Sequence, residues 1–329
     1  MDVKSSARTA LSHPALSGIS RQHLAELVAE LAPAWEAQQE SALRERRGGD
    51  RRREAGAGPK HRLVFVDRVL ATLAHLRHDL RHSALAVLLG VDRSTVSAAI
   101  RQVRPLLAAR GFAVPDQPGI RLRTIEDVFA YAEAEDVELR IDGTDVQVRR
   151  PKAGRPGRKA FVSGKRKQNT IKTTTFSDGQ GRTLFCGVAR PGRMHDQTAV
   201  RTEGIAEQLR CRPGVKVHVD EGYRGLANQF PQQVAAPPRK PKRDATLGEQ
   251  HAWRHERRAQ SADRICVEHA NAEYKQWRPQ QRYTGRREDF AETQAAIVGL
   301  VSDRSARRAT RRKTSKELVL AADARPTSC

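Results

Sequence analysis

Cysteine is scarce. Four occur in 329 residues, Cys186, Cys211, Cys266 and Cys329, and no two form a CxxC pair. That spacing excludes a zinc ribbon and a dithiol redox motif and offers no disulfide framework, so a cytosolic chain is expected. Long apolar runs are missing as well. No stretch of about 18 apolar residues is present, and no membrane span is expected. The opening MDVKSSARTALSHPALSGIS has neither a long apolar segment nor the cleavage-site pattern of a signal peptide. No internal repeat is found. Acid is in short supply: 38 Asp and Glu stand against 60 Lys and Arg, a formal charge of +22. Such an excess costs self-repulsion in the compact state and points to a polyanionic partner; a coding bias toward arginine is the plain alternative.

What is present reads as a globular protein with a polar surface, 38% apolar and 30% charged, long enough for two domains. Residues 20–43 predict a helix. Ser20 suits its N-cap, and Leu24, Leu27, Val28 and Leu31 recur at helical spacing. Pro33 is expected to break or kink it. The stretch 44–60, RERRGGDRRREAGAGPK, reads as a loop or linker, and helical pattern resumes over 61–80.

Residues 82–107, HSALAVLLGVDRSTVSAAIRQVRPLL, predict a helix-turn-helix. Gly90 stands where the chain must turn with positive φ, and Ala86 is small enough to let two helices approach. Leu85, Leu89, Val91, Val96 and Ala99 are spaced to pack the pair, and Asp92 can cap the second helix. Arg93, Ser94, Thr95, Ser97 and Arg101 would then project from the start and outer face of that helix, the part that meets bases and phosphates in DNA readers. An ordinary helical hairpin is the alternative, but it does not account for the polar, basic outer face.

From about residue 137 the period changes to alternation. VELRIDGTDVQVRR places Val137, Leu139 and Ile141 on one face, then Val146 and Val148 after a turn at Gly143. Further strands are expected at 170–176 and 183–189, joined by the turn signal SDGQGR, and at 215–219. Asp178 reads as part of that turn. Helices are expected over 246–276 and 288–301. The division is a helical region over 1–112, an α/β (α+β) domain over 113–301, and a basic flexible tail over 302–329.

Two of these strands end in acid. In VELRID and in VKVHVD the apolar residues share one face, so Asp142 and Asp220 take the same relation to their strands. If the strands are neighbours, the two carboxylates converge. A third carboxylate lies in DRICVEHANAEYKQWRP, where Arg264, Glu268, Asn271 and Lys275 fall on one helical stripe. That stripe could bring Glu268 to a metal and Arg264 and Lys275 to phosphate, or it could be a solvated face carrying an Arg–Glu pair. Other acids compete. Asp145 reads as a turn or surface residue, Glu221 should face away from Asp220, and Asp196 suits the N-cap of a helix QTAVRTEGI as well as an auxiliary role.

With these motifs in order, residues 137–301 resemble the DDE superfamily of endonucleases, specifically insertion-sequence transposases of the group numbered five and the related Harbinger nucleases. The carrying residues are IDGTDVQVRRP with Asp142, ARPGRMHDQTAV with His195 and Asp196, VDEGYRGL with Asp220, and RICVEHANAEYKQWR with Glu268. The preceding helix-turn-helix also fits the group. The resemblance implies an RNase H-like mixed sheet flanked by helices, with Asp142, Asp220 and Glu268 as catalytic metal ligands and Arg264 and Lys275 as DNA contacts. It keeps Asp196 as an auxiliary. The group's Tyr-Arg-Glu-Lys signature is matched at Arg264, Glu268 and Lys275, but Ser261 stands where the Tyr belongs.

The chemistry agrees. Cleaving a phosphodiester calls for an activated water and for neutralised charge on phosphoryl oxygens, which Mg²⁺ or Mn²⁺, as two ions on carboxylates, can supply. The run 149–172 holds ten Lys or Arg and no acid, and PPRKPKR at 237–243 adds more; both are expected DNA contacts. The expected protein is a DNA transposase that binds terminal inverted repeats, nicks them and transfers the 3′-OH to target DNA. It is expected to act as a homodimer or larger synaptic assembly, in the cytoplasm with the nucleoid. The alternatives are a DDE nuclease without strand transfer, a transposase-derived DNA-binding regulator without catalysis, and a basic nucleoid protein.

Overall fold

A computed structural model describes residues 3–51, 61–150 and 158–308. The N-terminal part is helical: α1 (Val3–Leu11), α2 (Pro14–Ser17), α3 (Arg21–Arg47), α4 (Phe65–His78), α5 (His82–Leu89) and α6 (Arg93–Ala109). Ser20 caps α3 as expected, its Oγ accepting from the His23 N–H at 3.1 Å. The break expected at Pro33 is absent, and α3 runs through it. Pro33 and Ala29, whose carbonyl it leaves unpaired, are both exposed, so water can satisfy that carbonyl.

Helices α5 and α6 form the expected pair, their axes bent by 107° at Gly90, where φ is +62°. Leu85, Ala86, Leu89, Val96 and Ala99 are buried between them and their neighbours. Asp92 occupies the N-cap position with extended backbone, but its carboxylate makes no capping hydrogen bond. It lies instead 3.6 Å from Arg62.

Beyond α6 come β1 (Phe112–Ala113), β2 (Arg121–Leu122) and α7 (Ile125–Ala134), then the main sheet. Its strands are β3 (Leu139–Val148), β4 (Thr170–Ser177), β5 (Thr183–Cys186), β6 (Arg190–Pro191), β7 (Val217–Val219), β8 (Val234–Ala235) and β9 (Arg282–Tyr283). Interleaved are α8 (Asp196–Thr202), α9 (Ile205–Cys211), α10 (Arg224–Gln229), α11 (Leu247–Lys275), α12 (Arg278–Gln281) and α13 (Phe290–Ala306). The sheet order is β5-β4-β3-β7-β8, with β6 on β4 and β9 on β3. The hairpin strands β3, β4 and β5 are antiparallel, whereas β7 runs parallel to β3 and β8 parallel to β7. With the first strand central, this is the RNase H-like mixed sheet expected.

No turn occurs at Gly143, because β3 is continuous through it and pairs with β4 along its length. Asp178 does form the β4–β5 turn, its Oδ1 accepting from the N–H groups of Gln180 and Arg182 at 2.9 and 2.8 Å.

One apolar cluster runs from Leu11 through the helix-turn-helix and the sheet to Val301, and α6 packs directly on α13. The helical region and the sheet domain are therefore joined by packing, not by a loose linker at 112. Helix α13 continues past the expected start of the tail at 302, with Ser302, Asp303 and Ser305 buried; residues 309–329 lie outside the described residues. No single described helix is long and apolar enough to cross a membrane.

Candidate active site

The parallel pairing of β3 and β7 builds the site. Leu139 pairs with Val217, Arg140 with His218 and Ile141 with Val219, and the next step brings Asp142 level with Asp220. Ile141 and Val219 are buried on one face. Alternation turns Asp142 to the other, where α11 lies.

Helix α11 holds the two carboxylates through Arg264. Its guanidinium is 3.5 Å from Asp142 Oδ1 and 3.4 Å from Asp220 Oδ1. Asn271, two turns further on, donates to Asp142 Oδ2 at 2.8 Å and accepts from Thr144 Oγ1 at 3.1 Å. Burial raises the Asp142 carboxyl above the ordinary range; Arg264, Asn271 and the Gly143 N–H counter it, while the Asp220 charge adds to the rise. The site thus consists of a mostly buried carboxylate beside a more exposed one, with a single guanidinium between them.

Glu268 stands on the same stripe of α11, between the two residues that touch Asp142. It is exposed and makes no ion pair or hydrogen bond among the described residues. One helical turn separates it from Arg264, about 6 Å along the axis and about 40° around it. Among the described residues, no three acidic, histidine or cysteine side chains are close enough together to hold a metal ion. The donor set still suits a hard divalent cation. All its donors are carboxylate oxygens, and a protein cation already stands between two of them.

Asp196 lies elsewhere. Gly143 faces opposite to Asp142, and a Cβ built on Gly143 would be 2.9 Å from Tyr223 Oη and 3.6 Å from Asp196 Oδ1. Asp196 is therefore on the far face of β3, where Lys172 Nζ holds it at 2.6 Å. The expected N-cap at Asp196 is corrected by one residue. His195 caps α8, its Nδ1 accepting from the Gln197 N–H at 3.4 Å. Asp145 is neither a turn nor a surface residue. It is half-buried within β3 on this same face, bonded to Ser163 Oγ at 3.4 Å, and burial raises its carboxyl. Glu221 is exposed and paired with Arg224 at 2.7 Å.

The other expected contacts divide by exposure. Arg93, Ser94 and Arg101 are exposed on α6, and Thr95 is half-buried. The Ser97 hydroxyl is engaged with His82 Nδ1 at 2.8 Å. Lys275 is exposed at the end of α11, and so is Ser261. Of the run 149–172, residues 151–157 lie outside the described residues; within the rest, Lys172 serves Asp196 and Arg166 donates to the Asp145 carbonyl at 3.2 Å. The role of Asn271 was not read from the sequence, although its place three residues past Glu268 carried the signal. Nothing local in the sequence marked the Lys172–Asp196 pair.

Comparison with known proteins agrees with this architecture. The family described as DDE superfamily endonuclease matches residues 141–301, and the helix-turn-helix of DDE superfamily endonuclease matches residues 61–113. A probable transposase for insertion sequence element IS702 from Microchaete diplosiphon is 24% identical over 227 residues, covering 69% of this chain and 75% of that protein. Solved structures of Mos1 transposase are also similar. The paired-end complex with left transposon end is 12% identical over 71% of this chain and 87% of its own, at a TM-score of 0.19. The Mos1 mariner paired end complex with Mn is 13% identical over 82% and 98%, at 0.18. Superpositions that weak add nothing to the topology already described. The chain belongs to the DDE superfamily of endonucleases, of the insertion-sequence transposase type with a helix-turn-helix ahead of the nuclease domain.

Proposed function

We propose that this protein is a metal-dependent DNA transposase that recognises the terminal inverted repeats of its element, cleaves there and joins the freed 3′-OH to target DNA. The observation that carries the reading is the in-register neighbourhood of Asp142 and Asp220 beneath the helix that bears Glu268. Asp142, Asp220 and Glu268 are the residues that would hold Mg²⁺ or Mn²⁺. Divalent ions there supply an activated water and neutralise charge on the phosphoryl oxygens. Asn271 orients Asp142 by its hydrogen bond, Lys275 is available to DNA phosphate, and Arg264 can reach phosphate once it leaves the two carboxylates. The exposed Arg93, Ser94 and Arg101 of α6 would enter the major groove, with Thr95 and Ser97 in support. Handling two element ends together calls for a homodimer or a larger assembly.

A nuclease that cuts without joining remains the second reading, because the same carboxylates serve both reactions. The test uses duplexes carrying the inverted repeats that flank the gene, with Mg²⁺ or Mn²⁺. The wild-type chain should nick them at the element end and yield joined products with a second duplex. Asp142→Asn, Asp220→Asn and Glu268→Gln should each abolish both products while retaining DNA binding. Cleavage without joined products would favour the nuclease, and undiminished cleavage by the three variants would overturn the assignment.

A further inference from the structure

Helix α11 is 29 residues long, yet it buries side chains only in its last third. Its buried residues are Val267, Ala270 and Tyr274. None from Leu247 to Cys266 is buried, a stretch of about 30 Å at 1.5 Å per residue. Its start is well made. Thr246 Oγ1 accepts from the Glu249 N–H at 3.2 Å, and Glu249 returns the bond to the Thr246 N–H at 2.8 Å. The result is a capped arm that extends the helix beyond the site with no apolar face to bury.

The arm is strongly cationic. Residues 238–262 hold seven Lys or Arg and three Asp or Glu. Arg254, Arg257 and Arg258 are exposed and make no ion pair among the described residues; the same holds for Arg239, Lys240, Lys242 and Arg243 in the preceding loop. That loop is fastened to its surroundings. Trp253 Nε1 donates to the Pro238 carbonyl at 3.3 Å, Gln250 Nε2 to the Ala245 carbonyl at 2.9 Å and Arg224 Nη2 to the Pro237 carbonyl at 2.6 Å. Two segments are thus held together with their cations unpaired, an arrangement whose self-repulsion is relieved only by an external anion.

The arm also points along the site. Arg254, Arg257, Ser261, Arg264, Glu268, Asn271 and Lys275 follow one another at alternating steps of three and four residues. They keep to a band about 100° wide on α11. Arg257 and Arg254 therefore share a stripe with Arg264, about 10 and 15 Å further out. At about 3.4 Å of duplex axis per nucleotide, those distances correspond to about three and four nucleotides.

We propose that Arg254 and Arg257 form a phosphate track for the DNA strand that enters the Asp142–Asp220 site, with the loop cations of 239–243 on the same duplex. This rests on the transposase reading above for the identity of the strand. The track fixes the path of the backbone and reads no base, so it acts alike on all sequences.

The test uses the full chain and a fluorescent 30-bp duplex of arbitrary sequence, with affinity followed by anisotropy from 50 to 200 mM salt. Each phosphate contact adds about 0.9 to the slope of log affinity against log salt. Arg254→Ala/Arg257→Ala should lower that slope by about 1.8 with thermal melting unchanged. Arg201→Ala, an exposed arginine on α8, should leave it unaltered. An unchanged slope in the double variant, or an equal loss from Arg201→Ala, would overturn the track. Mg²⁺-dependent cleavage by the wild-type chain, measured separately, distinguishes the two readings. A slope loss without cleavage keeps the arm and removes the transposase, and cleavage without a slope loss does the reverse.

Discussion

Asp142 and Asp220 stand at one level on adjacent parallel strands, one step beyond the Ile141–Val219 pair, with Arg264 between their carboxylates at 3.5 and 3.4 Å. Two carboxylates so close repel unless a cation lies between them. In the DNA-free protein a side chain supplies that cation. Catalysis by a divalent ion at the same oxygens requires that the side chain give way.

Arg264 and a divalent ion bound at these oxygens would therefore compete. Arg264→Gln should tighten Mn²⁺ binding to the DNA-free protein by about tenfold, or about 1.4 kcal/mol. The same change should weaken DNA binding by removing a cation from the site. Titration followed by electron paramagnetic resonance reads the first effect without any need for turnover. Unchanged or weaker Mn²⁺ binding would show that the guanidinium and the ion use different oxygens.

Asn271 couples Asp142 to Thr144 through bonds of 2.8 and 3.1 Å. Asn271→Ala should cost about 1 kcal/mol of stability, the net worth of an ordinary hydrogen bond. It should also slow cleavage, because a loosened Asp142 no longer holds its orientation. A urea midpoint together with a single-turnover cleavage rate tests both, and an unaltered rate would limit Asn271 to packing.

Gly143 and Gly90 should fail differently when replaced by alanine. At Gly143 the backbone is ordinary strand, but the new Cβ would meet Tyr223 Oη at 2.9 Å on the buried side of β3. Overpacking of that kind costs about 1–3 kcal/mol and displaces Tyr223 or Asp196. At Gly90 a new Cβ would meet nothing within 4 Å beyond its chain neighbours, yet φ is +62°. The cost there is conformational, about 1–2 kcal/mol, and falls on the α5–α6 turn. Gly143→Ala should thus impair cleavage at retained DNA affinity, while Gly90→Ala should impair DNA affinity first. Parallel binding and cleavage assays separate the two.

Asp303, 2% exposed, fastens α3, α6 and β2 to α13 through His23 at 3.0 Å, Arg110 at 2.7 Å and Arg121. Burial alone would raise its carboxyl, but His23, Arg110 and Arg121 outweigh burial and hold it well below the usual range. The folded value lies below the unfolded value of about 3.9, so the contribution is complete above about pH 4 and fades as the pH falls further. Asp303→Asn should cost about 3 kcal/mol at pH 7, since a buried arginine loses one of its partners. The variant should also lose less stability than the wild type below pH 4. Urea melts at pH 7, 4 and 3 decide this.

Much of this protein is written locally. Helical spacing and Gly90 specify the helix-turn-helix, since packing within a pair of helices depends on residues a few positions apart. Alternation specifies the strands, and the acid at the ends of VELRID and VKVHVD marks the two carboxylates that the sheet brings level. The pattern could not show that Gly143 stays in the strand, because a glycine in an alternating run reads equally as a turn. Nor could it show that a solvent-facing Pro33 leaves α3 unbroken.

Only the tertiary structure decided which strands are neighbours, and with that the meeting of Asp142 and Asp220. It also put Asp196 on the opposite face with Lys172, set Arg264 between the two acids, and fused the helical region to the sheet domain around Asp303. The physical reason is common to all four. Sheet register and buried ion pairs join residues far apart in the chain, and their energies depend on burial and distance, which no local periodicity encodes.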